Sequence, residues 1–102
     1  MIHPLLNPDS PHYDNPGGKP DIWELESRMT ISELIGWCKG NINKYDLRKH
    51  KKGQLDKDVT KIITFQRYKK FLLGLPRHYL TAREVIDEVH PDLEYSVTKE
   101  DV

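Results

Sequence analysis

Apolar and polar positions alternate along this chain in a way that marks four helices between two polar ends. The clearest stretch is Thr30 to Arg48, TISELIGWCKGNINKYDLR, with apolar residues at Ile31, Leu34, Ile35, Cys38, Ile42 and Tyr45. Those spacings trace one face of a 3.6-residue period and predict a helix of roughly 28 Å. Thr30 and Glu33 form a capping box that marks its start. Trp37, Asn41, Lys44 and Arg48 form a second stripe, about a quarter-turn from the apolar face. Gly36 and Gly40 each weaken the helix by about 1 kcal/mol relative to Ala, so close packing of another segment against them is expected.

A shorter helix is predicted before it. Asp21 to Arg28, DIWELESR, has a cap-and-box pair in Asp21 and Glu24 and apolar contacts in Ile22, Trp23 and Leu25. After the long helix, Lys49 to Gln54 reads as a loop with Lys49, Lys51, Lys52 and Gly53. A second long helix is expected from about Lys57 to Leu73, capped by Gln54 or Asp56. Val59, Ile62, Ile63, Phe65, Leu72 and Leu73 would give it one broad apolar face, and Asp58 with Lys61 an intrahelical ion pair. Gly74 fits its C-cap, and Pro76 prevents continuation. Thr81 with Glu84 opens a last short helix that ends by His90-Pro91.

The resulting fold class is all-α: a helical hairpin of two long helices with two short ones, antiparallel because the connecting loop is short. Five prolines lie within residues 1–20, which predicts an extended N-terminal arm, with Tyr13 as the residue pinning it to the body. Residues 21–91 make the helical domain. Residues 92–102, DLEYSVTKEDV, read as an acidic, frayed C-terminal tail.

Composition changes this picture in one respect. Only 36% of the 102 residues are hydrophobic and 31% are charged. So few helices with so small a core cannot cover one another fully, and a homo-oligomer is expected. The net charge of zero hides an asymmetry. Residues 1–38 carry net −4, residues 39–70 net +8, and residues 71–102 net −4. A basic middle between acidic flanks suits an anionic ligand or partner; it equally suits a solvated lysine-rich face neutralised by its flanks. The single cysteine, Cys38, sits on the apolar helix face and reads as a small core residue in a reducing cytoplasm. No signal peptide is expected, and no segment approaches the 18 apolar residues of a membrane span. No His, Cys, Asp and Glu set has metal-ligand spacing, so no metal site is expected. The glycine-lysine loop lacks the spacing of a Walker A loop.

Certain motifs carry a resemblance. They are His12-Tyr13, then Gly40-Asn41-Ile42-Asn43-Lys44-Tyr45, Leu47-Arg48, Lys52-Gly53, Asp56-Lys57-Asp58, Lys61 and a late Tyr68. Over residues 11–73 this order is similar to a family of small bacteriophage proteins, domain of unknown function 3310. Members of that family are often labelled nucleotide kinase by similarity to the phage T7-type enzyme. The resemblance implies phosphoryl transfer between deoxynucleotides in the cytoplasm of an infected host cell, with a site shared between subunits. It implies a nucleotide and phosphate site at His12, Tyr13, Trp37, Asn41, Lys44, Tyr45, Arg48, Lys51 and Lys52. The lysines and Arg48 would neutralise phosphates, Asn41 would bond a base or sugar, and His12, Tyr13 or Trp37 would stack. Neither a catalytic base nor a Mg²⁺ cradle is identifiable, and Asp56 and Asp58 are the only acids nearby on the second long helix. Two alternatives stand beside the kinase: a non-catalytic protein that sequesters a nucleotide defence signal, and a helical adaptor that binds nucleic acid or a host protein.

Overall fold

The computed structural model describes residues 1–5, 21–49 and 55–95. Among the described residues there are four helices: α1 (Asp21–Arg28), α2 (Ile31–Arg48), α3 (Leu55–Leu73) and α4 (Ala82–Val89). α2 starts where its capping box places it. The Glu33 amide donates to Thr30 Oγ1 at 3.1 Å, and the Thr30 amide donates to the Glu33 carboxylate at 2.8 Å. α4 is capped by Thr81, whose hydroxyl donates to the Glu84 carboxylate at 3.0 Å. α1 begins at Asp21 itself, so Asp21 belongs to its first turn. α3 begins at Leu55, two residues earlier than its periodicity suggests.

The two long helices pack as an antiparallel hairpin. Near the connection between them Arg48 of α2 bonds Asp58 of α3, and farther along Trp37 meets Tyr68. The core between them takes Ile31, Leu34, Ile35 and Cys38 from α2, and Phe65, Tyr68 and Leu72 from α3. Ile22, Leu75, Ala82, Val85, Ile86 and Leu5 close it. α1 packs on α4. The starts of α2 and α4 are clipped together by backbone bonds from Ile31 to Leu80 and from Ala82 to Met29.

α3 departs from its expected single apolar face. Phe65, Tyr68 and Leu72 are buried, whereas Val59, Ile63 and Leu73 are exposed. Among the described residues α2 covers only one side of α3, and the sequence supplies apolar residues on two. Nothing lies within 4 Å of a Cβ built on Gly36 or Gly40, so no described segment packs closely against either glycine.

Both ends of the described chain are tied into the body. Ile2 and Glu94 form a parallel bridge, with the His3 amide donating to the Glu94 carbonyl and the Glu94 amide to the Met1 carbonyl, each at 2.8 Å. Residues 92–95 therefore do not fray: Leu93 and Tyr95 pack against the core. The remainder of the proline-rich arm, with Tyr13, lies outside the described residues.

Candidate functional site

One edge of the hairpin carries a row of three aromatic rings. Trp37 meets Phe65 edge-on at 5.3 Å between centroids, and Phe65 stacks with Tyr45 at 6.2 Å. The row is a product of the helical period. Trp37 and Tyr45 are two turns apart on α2, and Phe65 fills the gap from α3. At its Tyr45 end the row meets three cations. Lys44 Nζ lies 4.7 Å, Lys61 Nζ 4.9 Å and Arg48 Cζ 5.0 Å from the Tyr45 ring centroid. Cations take such positions because the ring face is electron-rich.

A buried carboxylate answers this cluster. Asp58, fully buried, accepts from Arg48 Nη2 at 2.9 Å and from Nε at 3.4 Å. That hydrogen bond lifts the Arg48 guanidinium further above its ordinary value, so it stays charged. Arg48 is therefore half a structural residue. It covers the buried Asp58 across the hairpin, a partner that intrahelical spacing does not reveal.

The structure brings together Lys44, Tyr45 and Arg48 of the expected site and adds Lys61 to them. Trp37 is half-buried along the same edge. The Asn41 side-chain amide donates to the Trp37 carbonyl at 2.9 Å, one turn back on its own helix. His12, Tyr13, Lys51 and Lys52 lie outside the described residues.

A second polar constellation is buried. Glu26, fully enclosed, receives four donors. Tyr68 Oη donates at 2.5 Å and His3 Nε2 at 2.8 Å to one carboxylate oxygen. Arg83 Nη2 at 3.0 Å and the Tyr95 hydroxyl donate to the other. The Leu5 amide donates to His3 Nδ1 at 3.1 Å, which leaves the proton on Nε2 facing Glu26. Arg83 lies over the face of Trp23, 3.5 Å from its centroid. Burial and the neighbouring Glu26 charge push the Tyr68 and Tyr95 hydroxyls well above the ordinary tyrosine range. At Arg83, burial pulls the guanidinium down, but Tyr95, Asp87 and Glu26 together outweigh it and leave it raised. This network joins the first residues of the chain, α1, α3, α4 and the segment after α4. Its carboxylate is sealed from solvent, and its role is to hold those five pieces in register.

Glu26 is absent from the residues singled out in the sequence, although a signal was present. Ile22, Leu25 and Met29 line one side of α1, and Glu26 stands among them. An acid in the middle of an apolar stripe has a buried partner or an oligomer contact.

An open cavity of about 430 Å³, lined by Ile2, His3, Pro4, Arg67, Lys70 and Phe71 together with Met1, shares no residue with the cationic end of the hairpin. Among the described residues no group of three or more His, Cys, Asp or Glu side chains is placed to hold a metal ion, and no helix is long and apolar enough to cross a membrane.

A model of the family described as a protein of unknown function, DUF3310, matches residues 7–70. No curated protein and no solved structure matches the chain.

Proposed function

The chain belongs to the DUF3310 family, and we propose that it is a bacteriophage nucleotide-binding protein whose phosphate site is the cationic end of the helical hairpin. The observation that carries this reading is the convergence of Lys44, Arg48 and Lys61 on one tyrosine ring, beside the buried carboxylate of Asp58. Arg48 is neutralised by Asp58, which leaves the two lysines for an incoming anion. Phosphate groups are the chemistry such a pair takes best, because each ammonium is a compact point charge with several donors. The aromatic row beside them, ending in the half-exposed Trp37, offers a π-face to a base. Lys51 and Lys52, in the segment that joins the two helices, stand close in sequence to the same end. The resemblance of the motifs to phage nucleotide kinases points to a deoxynucleoside monophosphate as the ligand.

Phosphoryl transfer depends mostly on positioning and charge stabilisation, and the two lysines would supply the second. A further observation favours binding without turnover. Asp58, an acid on α3 close to the cations, is buried and holds Arg48 at 2.9 Å, so it is spent on structure. A protein that captures a nucleotide signal needs only the cationic edge.

The test is a thermal-shift screen against nucleoside mono-, di- and triphosphates and cyclic dinucleotides, followed by titration calorimetry. A ligand that binds the native state raises the melting temperature by mass action. A shift is expected with some of these ligands, and it should disappear in Lys44→Ala/Lys61→Ala. No shift with any nucleotide refutes the proposal. Product formation from a bound monophosphate and a triphosphate then separates the kinase from the sequestering protein.

A further inference from the structure

The open cavity beside the start of the chain is built from two segments. One is α3, which contributes Arg67, Lys70 and Phe71; the other is residues 1–4. Spacings of three and four put the α3 residues on one face, with about 5–6 Å between Cβ atoms. The N-terminal segment is fixed in place. The His3 amide donates to the Glu94 carbonyl and the His3 ring bonds Glu26, each at 2.8 Å. The cavity is thus pre-formed, and its volume of about 430 Å³ lies in the range of small-molecule sites. Met1, Ile2 and Phe71 supply an apolar wall, and the buried His3 and Pro4 form the floor. Both His3 nitrogens are already engaged, Nε2 with Glu26 and Nδ1 with the Leu5 amide. The polar groups left to the cavity's side chains are Arg67 and Lys70, both positive. Neither has a side-chain hydrogen bond or an ion pair among the described residues, whereas Arg48 is held by Asp58 and Arg83 by Glu26.

We infer that this cavity binds a small amphipathic carboxylate, its head between Arg67 and Lys70 and its apolar body against Met1, Ile2 and Phe71. The charges select the head. A guanidinium fork meets both oxygens of a carboxylate, and the neighbouring ammonium adds a second positive charge. A cationic amphiphile would meet two uncompensated charges of its own sign, and a neutral one would leave both unused. The wall selects the body. A nucleotide's base and sugar need several hydrogen-bond partners, and apart from the two cations no lining side chain offers a free nitrogen or oxygen. An aliphatic chain needs none, and it gains by leaving water. The inference is independent of the nucleotide site, since none of Lys44, Arg48 and Lys61 lines this cavity.

Titration calorimetry at neutral pH with butanoate, hexanoate and octanoate, and with octan-1-ol as the uncharged counterpart, tests it. Affinity is expected to rise along the acid series by up to about fourfold per added methylene, and octanoate should bind at least about tenfold more tightly than octan-1-ol. Arg67→Gln/Lys70→Gln should weaken octanoate by at least about tenfold, with helicity by circular dichroism unchanged because both side chains are exposed. Ile2→Asp, which places a carboxylate in the apolar wall, should weaken it too. Lys44→Ala/Lys61→Ala should leave it intact. No binding of any of the acids overturns the inference. So does octan-1-ol binding as tightly as octanoate, or octanoate affinity that Arg67→Gln/Lys70→Gln leaves unchanged. Octanoate binding lost in Lys44→Ala/Lys61→Ala overturns it as well, by placing the acid at the other end of the hairpin.

Discussion

Replacing Glu26 by glutamine changes one atom in the middle of the molecule, and the surrounding geometry sets the cost. Each carboxylate oxygen of Glu26 accepts two donors. A glutamine must turn its NH2 group towards one of those pairs. Facing Arg83 and Tyr95, it meets a guanidinium that has no acceptor; the Tyr95 hydroxyl can rotate, but Arg83 cannot. Facing His3 and Tyr68, it meets His3 Nε2–H, which can become an acceptor only by moving its proton to Nδ1, where the Leu5 amide already points. Either way one donor is left against another donor, and the remaining bonds lose a charged acceptor. Hydrogen bonds to charged groups contribute about 1.5–3 kcal/mol each, and neutral ones about 1 kcal/mol. The expected loss is about 3 kcal/mol, a large share of the roughly 5–15 kcal/mol that holds a domain of this size together. Urea unfolding monitored by circular dichroism measures it. The melting temperature should drop by more than about 10 °C, while Glu94→Gln, at an exposed position, should change stability by under about 0.5 kcal/mol. If Glu26→Gln is as silent as Glu94→Gln, the four donors do not converge on an ionised carboxylate and the network does not hold the fold together.

Other consequences are open to direct measurement. Gly36→Ala and Gly40→Ala meet no atom within 4 Å of the new Cβ and should each stabilise the protein by up to about 1 kcal/mol in the same urea assay; a loss of stability would show that something does pack there. Tyr68 and Tyr95 have folded-state values raised above the ordinary 10.0, by burial first and then by the Glu26 charge. Their protons are bound more tightly in the native state, so stability is intact below pH 10 and falls as pH rises above it, when only the unfolded chain ionises. A urea midpoint that stays level well above pH 10 would contradict this. Cys38 is buried and its thiol is pushed up to about 12 by burial, so a disulfide reagent at neutral pH should label it only at the rate of unfolding. Labelling that is fast under native conditions would place the thiol at the surface.

The parts of the fold legible in the sequence are those set by neighbours along the chain. The start of α2 is readable because the Thr30–Glu33 box and the period of Ile31, Leu34, Ile35 and Cys38 agree. The Trp37, Asn41, Lys44 and Arg48 stripe is visible for the same reason, being fixed by helical geometry alone. Long-range partners leave no such trace. Ile2 pairs with Glu94 across nearly the whole chain, and no spacing in either segment announces it. Asp58 looks like half of an intrahelical pair with Lys61, yet it takes Arg48 across the hairpin, and Lys61 joins the Tyr45 ring. Val59 and Ile63 look like core residues on a broad apolar face; only the position of α2 shows that they lie outside it. The Glu26 network draws on residues 3, 68, 83 and 95, and its one local sign is an acid within the apolar side of α1.

Whether the cationic end of the hairpin holds nucleotide phosphates is decided by titration calorimetry with the best ligand from the thermal-shift screen. Lys44 and Lys61 are the residues to remove, because Arg48 also covers the buried Asp58 and its loss would disturb the fold. Saturable binding is predicted for the unmodified chain, with loss of that binding in Lys44→Ala/Lys61→Ala and an unchanged melting temperature in the absence of ligand. Equal affinity in the two proteins would contradict the proposed site and move it elsewhere on the molecule.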